Sequence, residues 1–327
     1  RFCLHRFLGS DTDDYTYEAL KLFLLGAISR AFKPGCKFEV MLCLVGGQGA
    51  GKSSFFRLLA VNDDWFSDDL KKLDDENVYR KMQGHWIIEM SEMIATANAK
   101  SIEEIKSFLS RQKETYKIPY ETHPADRKRQ CVFGGSSNTL DFLPLDRTGN
   151  RRFVPVMVYP ERAEVHILAD EQASREYINQ MWAEAMEIYR SGNFRLRFSP
   201  AMNDYLKAHQ KDFMPEDTKA GQILDYLERY SGSIVCSKQL YKEALGHDYD
   251  EPKQWELREI NDIMNNAVTG WMAFSNPRYF PEPYRRQKGW ERIRNDNEPD
   301  NSMDGFQEIP TEEMEQLGLP EEWLKQK

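Results

Sequence analysis

Gly46-Gly47-Gln48-Gly49-Ala50-Gly51-Lys52-Ser53 has the complete Gly-x-x-x-x-Gly-Lys-Ser spacing of a Walker A P-loop. A random chain of this length shows that pattern with a probability of roughly one in a hundred, and the flanking sequence lowers the chance further. Before it runs Val40-Met41-Leu42-Cys43-Leu44-Val45, the short apolar stretch of a buried parallel strand. After it, Phe55, Phe56, Leu58 and Leu59 recur at helical spacing. The glycines let backbone N–H groups point inward at phosphate oxygens, at the positive end of the following helix. Nucleoside triphosphate binding is therefore expected, with Gly46, Gly47, Gln48, Gly49, Ala50, Gly51, Lys52, Ser53 and Ser54 around the nucleotide. Lys52 reaches the β- and γ-phosphates and Ser53 ligates Mg²⁺.

The chain has 327 residues, 40% hydrophobic and 12% aromatic, enough for a core and for about two domains. It carries no run of about 20 apolar residues, so no membrane contact is expected, and no signal or transit pattern opens it. It begins at Arg1 rather than Met, so it reads as a fragment with an upstream domain missing. Cys3, Cys36, Cys43, Cys131 and Cys236 form no CxxC pair and read as reduced thiols of a cytosolic protein. The six histidines are scattered, and no zinc site is expected.

Net charge is −9, which by itself argues against nucleic acid. The charge is unevenly placed. Acids are concentrated from Glu298 onward, whereas 106–129 and 278–294 each carry a local excess of lysine and arginine. Those two stretches are candidate contacts for a phosphate backbone.

Leu20, Phe23, Leu24, Ala27, Ile28 and Ala31 define an amphipathic helix ended by Pro34-Gly35. His85-Trp86-Ile87-Ile88-Glu89-Met90-Ser91-Glu92 reads as a second central strand. Ser101 with Glu104 reads as a capping box opening the next helix. A third strand, 130–133, ends in Gly134-Gly135-Ser136-Ser137-Asn138, and a fourth spans 152–159. Helices follow at 177–189 and from Ser199. Met214-Pro215-Glu216-Asp217 reads as a linker. Beyond it, helical patterns at 222–230, 237–245 and 254–267 precede a basic, aromatic-bearing segment, the order of a winged helix-turn-helix, with a plain helical cap as the competing reading.

Behind the P-loop, Glu89 ends an apolar strand, where a carboxylate can hold Mg²⁺ or polarise the attacking water. Glu92 lies within reach if the chain turns, and the division of roles between the two acids stays open. Asn138 can bond both γ-phosphate and lytic water. Arg151 and Arg152 stand where a strand begins. Neighbouring strand residues face opposite ways, so one of them is expected to reach a neighbouring subunit's nucleotide and the other to pair with an acid or DNA.

These segments, with Pro34-Gly35-Cys36-Lys37-Phe38, Arg129-Gln130-Cys131-Val132-Phe133, Phe142-Leu143 and Asp146-x-Thr148-Gly149-Asn150-Arg151-Arg152-Phe153, resemble the virulence-associated protein E family. That family comprises helicase or primase-helicase proteins of phages and mobile elements and is similar to superfamily 3 helicases of the AAA+ class. The resemblance covers about residues 8–160. It departs in reading Gly-Ser-Ser-Asn where Gly-Thr-Thr-Asn is the pattern.

The resemblance implies an α/β P-loop ATPase of AAA+ type, using ATP and Mg²⁺ in the cytoplasm of a bacterial host. It also implies a ring, a hexamer, with nucleotide between subunits and single-stranded DNA through the centre. Its DNA-gripping hairpin falls on Lys113, Tyr116, Lys117, Tyr120, Arg127, Lys128 and Arg129. On residue pattern, Arg285, Arg286 and Lys288 of the winged module contact duplex. The domain expectation is a helical lead-in (1–33), an ATPase core (34–160), a helical connector (161–214), a winged-helix-like module (215–294) and an acidic tail (295–327). The function expected is a replicative DNA helicase motor. The alternatives are a replication initiator that uses ATP as an assembly switch, and a P-loop ATPase acting on protein.

Overall fold

The computed structural model describes residues 1–70, 73, 78–92, 99–117, 122–145 and 150–293. Tyr120, Asp146, Thr148, Gly149, Arg294 and the acidic tail therefore lie outside the described residues. The chain divides into two compact units, Arg1–Thr218 and Lys219 onward.

In the first unit, α1 (Cys3–Leu8) and α2 (Asp14–Phe32) precede β1 (Met41–Val45) and α3 (Lys52–Leu59). Next come β2 (Phe66–Ser67), α4 (Val78–Lys81), β3 (Ile87–Ser91) and α5 (Ala99–Ser110). The unit continues with β4 (Lys113–Tyr116), β5 (Ala125–Lys128), β6 (Val132–Ser137), β7 (Phe153–Met157), α6 (Glu171–Ser191) and α7 (Pro200–Gln210). Five strands form one parallel sheet in the order β2-β3-β6-β1-β7.

Strand residues alternate between faces, and here both faces are covered. Leu42, Leu44, Ile87, Val132, Val154 and Val156 enter a core with α1, α2, α3 and α6. Met41, Cys43, Val45, Ile88, Met90 and Phe133 enter a second core on the opposite face with α5. Double burial is why β1 is apolar at every position.

Several boundaries differ from the sequence reading. Strand β6 runs on through Gly134 and Gly135 to Ser137, fully buried, instead of ending at Phe133. A Cβ at Gly134 would lie 2.4 Å from the Phe56 ring, and one at Gly135 2.7 Å from the Met41 side chain. These glycines are strand residues that admit close packing, not a terminating turn. Helix α5 includes Ser101 as its third residue, so Ser101 is not an N-cap. Helix α1 is too short for periodicity to reveal.

Between α5 and β6, β4 and β5 pair antiparallel, Lys113 opposite Lys128 and Tyr116 opposite Ala125. Two buried arginines anchor this hairpin. Arg30 donates to the carbonyls of Phe38 (2.7 Å), Arg111 (3.3 Å) and Arg129 (3.4 Å). Arg129 donates to the Phe108 carbonyl at 2.6 Å and forms an ion pair with the buried Glu114.

The second unit contains α8 (Thr218–Arg229), β8 (Ile234–Cys236), α9 (Ser237–Gln239) continuing as one π-helical turn (Leu240–Ala244), and α10 (Gln254–Asn266). Strands β9 (Trp271–Ala273), β10 (Arg278–Phe280), β11 (Arg285–Gln287) and β12 (Gly289–Arg292) complete it. β12 lies between β8 and β9 in an antiparallel sheet, and β10 and β11 form a separate hairpin. Ile223, Leu227, Leu240, Ile260, Ile263 and Trp290 form its core. Among the described residues, no helix is long and apolar enough to cross a membrane.

Candidate nucleotide site

Because the strands are parallel, their carboxyl ends lie together, and the P-loop, Glu92 and Asn138 leave the sheet there. Glu89 does not end its strand as the sequence suggested but is the middle residue of β3, opposite Gly134 on β6. The loop needs left-handed backbone at Gly49 and Gly51, both at φ +80°, where side chains are strained. Gly46 is needed for space, since a Cβ would lie 2.4 Å from the Val158 carbonyl oxygen. Gly47, Gln48 and Gly49 are exposed, Ala50 packs inward and Ser54 is half-buried.

Lys52, the first residue of α3, is buried and donates to Gly46 O (2.7 Å), Gly47 O (2.8 Å) and Asn138 Oδ1 (2.9 Å). Burial pulls its ammonium below the ordinary lysine range, opposed by the charges of Glu92 and Glu89.

Glu89 is fully buried, and its Oε1 accepts from Ser53 Oγ at 2.8 Å and Ser136 Oγ at 2.5 Å. Burial raises its pKa, the two hydroxyl hydrogen bonds working the other way. Its Oε2 is buried with no protein partner. An orphaned carboxylate oxygen beside a serine hydroxyl is a hard oxygen donor set that suits Mg²⁺. Among the described residues, no group of three or more His, Cys, Asp or Glu is placed to hold a metal ion.

Glu92 adopts left-handed backbone, φ +51°, so the chain turns sharply at the end of β3. Its N–H donates to Ser136 O at 2.9 Å, and its carboxylate accepts the Asn138 N–H at 2.8 Å. Glu92, Asn138 and Lys52 are thus linked in series.

Arg151 and Arg152 lie at the opposite end of the sheet, where Met41 N–H at the start of β1 donates to Arg152 O. A five-residue strand puts them about 15 Å from the P-loop end. They occupy a turn before β7, so strand alternation does not separate them. Both guanidiniums converge on Glu39, Arg151 at 3.1 Å and Arg152 at 3.4 Å, and Arg152 also donates to Ser110 Oγ at 2.9 Å. Sequence reasoning missed Glu39 and Ser136. The only signals were an acid just before β1 and the serine pair that closes β6.

Of the hairpin residues, Lys113, Lys117 and Lys128 are exposed, Lys113 in an ion pair with Asp126. Arg127 lies over the Tyr116 ring, 5.2 Å from its centroid. Arg129 is corrected: buried, paired with Glu114 and packed over Phe108 and Phe133, it has no surface to offer a phosphate. In the second unit Arg285, Arg286 and Lys288 are exposed, with Arg286 opposite the exposed Tyr279 on the β10–β11 hairpin.

The virulence-associated protein E-like domain matches residues 1–215, about two thirds of the chain. The chain belongs to this family. Its P-loop, five-stranded parallel sheet and clustered acids make this member a P-loop nucleotide-binding protein. No curated protein matches it significantly. Among solved structures, this family member is similar to the apo structure of the NrS-1 C-terminal region (305–718), at 13% identity, covering 90% of this chain and 74% of that one, TM-score 0.45. It is also similar to the A form of the same region, at 14% identity, covering 89% and 74%, TM-score 0.47.

Proposed function

We propose that this family member is an ATP-driven DNA helicase motor that works as a ring, serving replication of a phage or mobile element. The observation that carries the reading is the separation between the P-loop at one end of the sheet and the paired arginines at the other. A nucleotide held by Lys52 has neither of these arginines within reach in its own copy, so the γ-phosphate is completed by Arg151 or Arg152 of a neighbouring copy. Catalysis of phosphoryl transfer depends chiefly on stabilising the charge that develops on the transferring group, and an arginine supplied in trans does this.

Within one copy the roles divide by hydrogen-bond partner. Ser53 and Glu89 hold Mg²⁺, which when bound offsets phosphate charge. Glu92 fixes Asn138, and Asn138 aligns water with the γ-phosphate. The β4–β5 hairpin supplies exposed Lys113, Lys117 and Lys128 to a single strand.

The helix, strand and hairpin order beyond Lys219 fits a winged helix with Arg285, Arg286 and Lys288 on its wing. That feature favours a second reading, an initiator that binds one duplex sequence and uses ATP to assemble.

Unwinding of a forked duplex, with Lys52→Ala as control, tests the proposal. ATP hydrolysis stimulated by single-stranded DNA together with strand separation is expected. Hydrolysis at a DNA-independent rate with no unwinding sinks the motor reading, and tight binding to one duplex sequence with slow hydrolysis establishes the initiator.

A further inference from the structure

A cavity of about 950 Å³ opens beside the β4–β5 hairpin, at the end of the sheet away from the P-loop. No P-loop residue lines it, nor do Glu89, Glu92 or Asn138. Protein interiors leave few voids larger than a water molecule, whereas ligand pockets run to several hundred Å³. This space is too large for a packing defect.

Its walls are aromatic. Trp86 stacks obliquely on Trp182 with centroids 4.8 Å apart, and Trp65 meets Trp86 edge-on at 6.5 Å. Tyr79 and Tyr116 stack at 5.7 Å. The indole N–H groups of Trp86 and Trp182 are satisfied by the carbonyls of Ala27 and Leu59, both at 3.0 Å. Those two rings therefore make no polar demand on an occupant. Trp65 remains 45% exposed, a large apolar surface at the rim. One flank is the hairpin itself, which brings Arg127 and Lys128 to the lining together with Asp126 and Glu114, two acids already paired with Lys113 and Arg129.

We infer that this cavity is a nucleobase site, holding an unstacked base of the single strand that passes the hairpin. The inference rests on the DNA-motor reading above. Flat walls of indole and phenol match the π-face every base presents, and stacking of this kind tolerates any sequence, as a motor requires. Cations on one flank complement the phosphates on either side of the base. An aliphatic side chain from a protein partner would use neither feature.

The test is the affinity of the full chain for oligothymidylate and for an abasic oligonucleotide of equal length, read by anisotropy of an end label. The abasic strand keeps every phosphate and loses every base. The full chain is expected to hold oligothymidylate about tenfold more tightly, the size of one base–aromatic stack. Trp65→Ala and Tyr79→Ala should remove that preference without changing abasic affinity or DNA-free ATP hydrolysis, while Trp65→Phe and Tyr79→Phe, which keep a ring, retain most of it. Alanine variants that prefer oligothymidylate as strongly as the parent overturn the nucleobase site and leave the motor reading standing. A parent chain that binds neither strand, and whose hydrolysis ignores both, ends the motor reading and this one together. A change of oligomeric state by Trp65→Ala without DNA assigns the cavity to a second copy and overturns the inference.

Discussion

The Lys52 ammonium donates to the Asn138 side-chain oxygen at 2.9 Å, joining the P-loop to the end of β6 across 86 positions of sequence. Two P-loop carbonyls take its remaining protons. An arriving phosphate must displace these acceptors, which frees the Asn138 amide to turn toward the γ-phosphate. Asn138→Ala should therefore lower single-turnover hydrolysis by about 100-fold, the scale of losing one transition-state hydrogen bond. Nucleotide affinity, measured by titration with a fluorescent ATP analogue, should stay within about threefold, because the bond is lost mainly in the transition state.

Glu89 carries a pH signature. Burial raises its folded-state pKa above the ordinary 4.5, so between that value and the folded pKa the folded chain holds a proton the unfolded chain has lost. Stability from this source is present at low pH and is lost as pH rises through the window. Glu89→Gln, which keeps an acceptor for Ser53 and Ser136, should melt at higher temperature than the parent at pH 7.5 without nucleotide. The gap should close toward pH 4, while hydrolysis falls by at least about 100-fold. Parallel melting profiles across that range would contradict the assignment.

Arg152→Ala should reduce ATP hydrolysis by about 1,000-fold if it acts in trans. Mixing it with a Lys52→Ala chain should restore activity, since some interfaces then pair an intact P-loop with an intact arginine. Proven co-assembly without restoration would rule out Arg152 as the trans group and turn attention to Arg151.

Gly134→Ala should destabilise the first unit through overpacking, by about 1–3 kcal/mol, because the new methyl would lie 2.4 Å from the Phe56 ring. Adding Phe56→Leu should recover part of the loss in a denaturant titration. An unchanged midpoint in the single variant would mean that β6 does not pack against α3 as described.

Arg129 and Lys128, adjacent in sequence, should behave oppositely. Arg129→Ala leaves the buried Glu114 with only the longer contact to the half-exposed Arg111, at 3.7 Å, and should cost about 3 kcal/mol of stability. Lys128→Ala, on the surface, should leave the melting temperature unchanged and weaken DNA binding, with a shallower salt dependence. Equal thermal stability of the two variants would refute the structural role of Arg129.

The sequence by itself determined the P-loop, the strand before it and the helix after it, because phosphate binding at a helix N-terminus requires a local pattern of glycine, lysine and serine. Glu92 and Asn138 were legible as candidates for a related reason, since strand ends are marked by the change from apolar to polar residues, and Glu89 stood out as an acid within an apolar run, although it lies in the middle of β3. Only the tertiary structure decided where β6 ends, because Gly134 and Gly135 answer to Phe56 and Met41, which are distant in sequence. Likewise, the burial of Arg129, the convergence of Arg151 and Arg152 on Glu39, and the tryptophan-lined cavity depend on which elements pack together. A charge run looks the same in sequence whether water or a buried carboxylate surrounds it, and the difference appears only when the chain has closed around it.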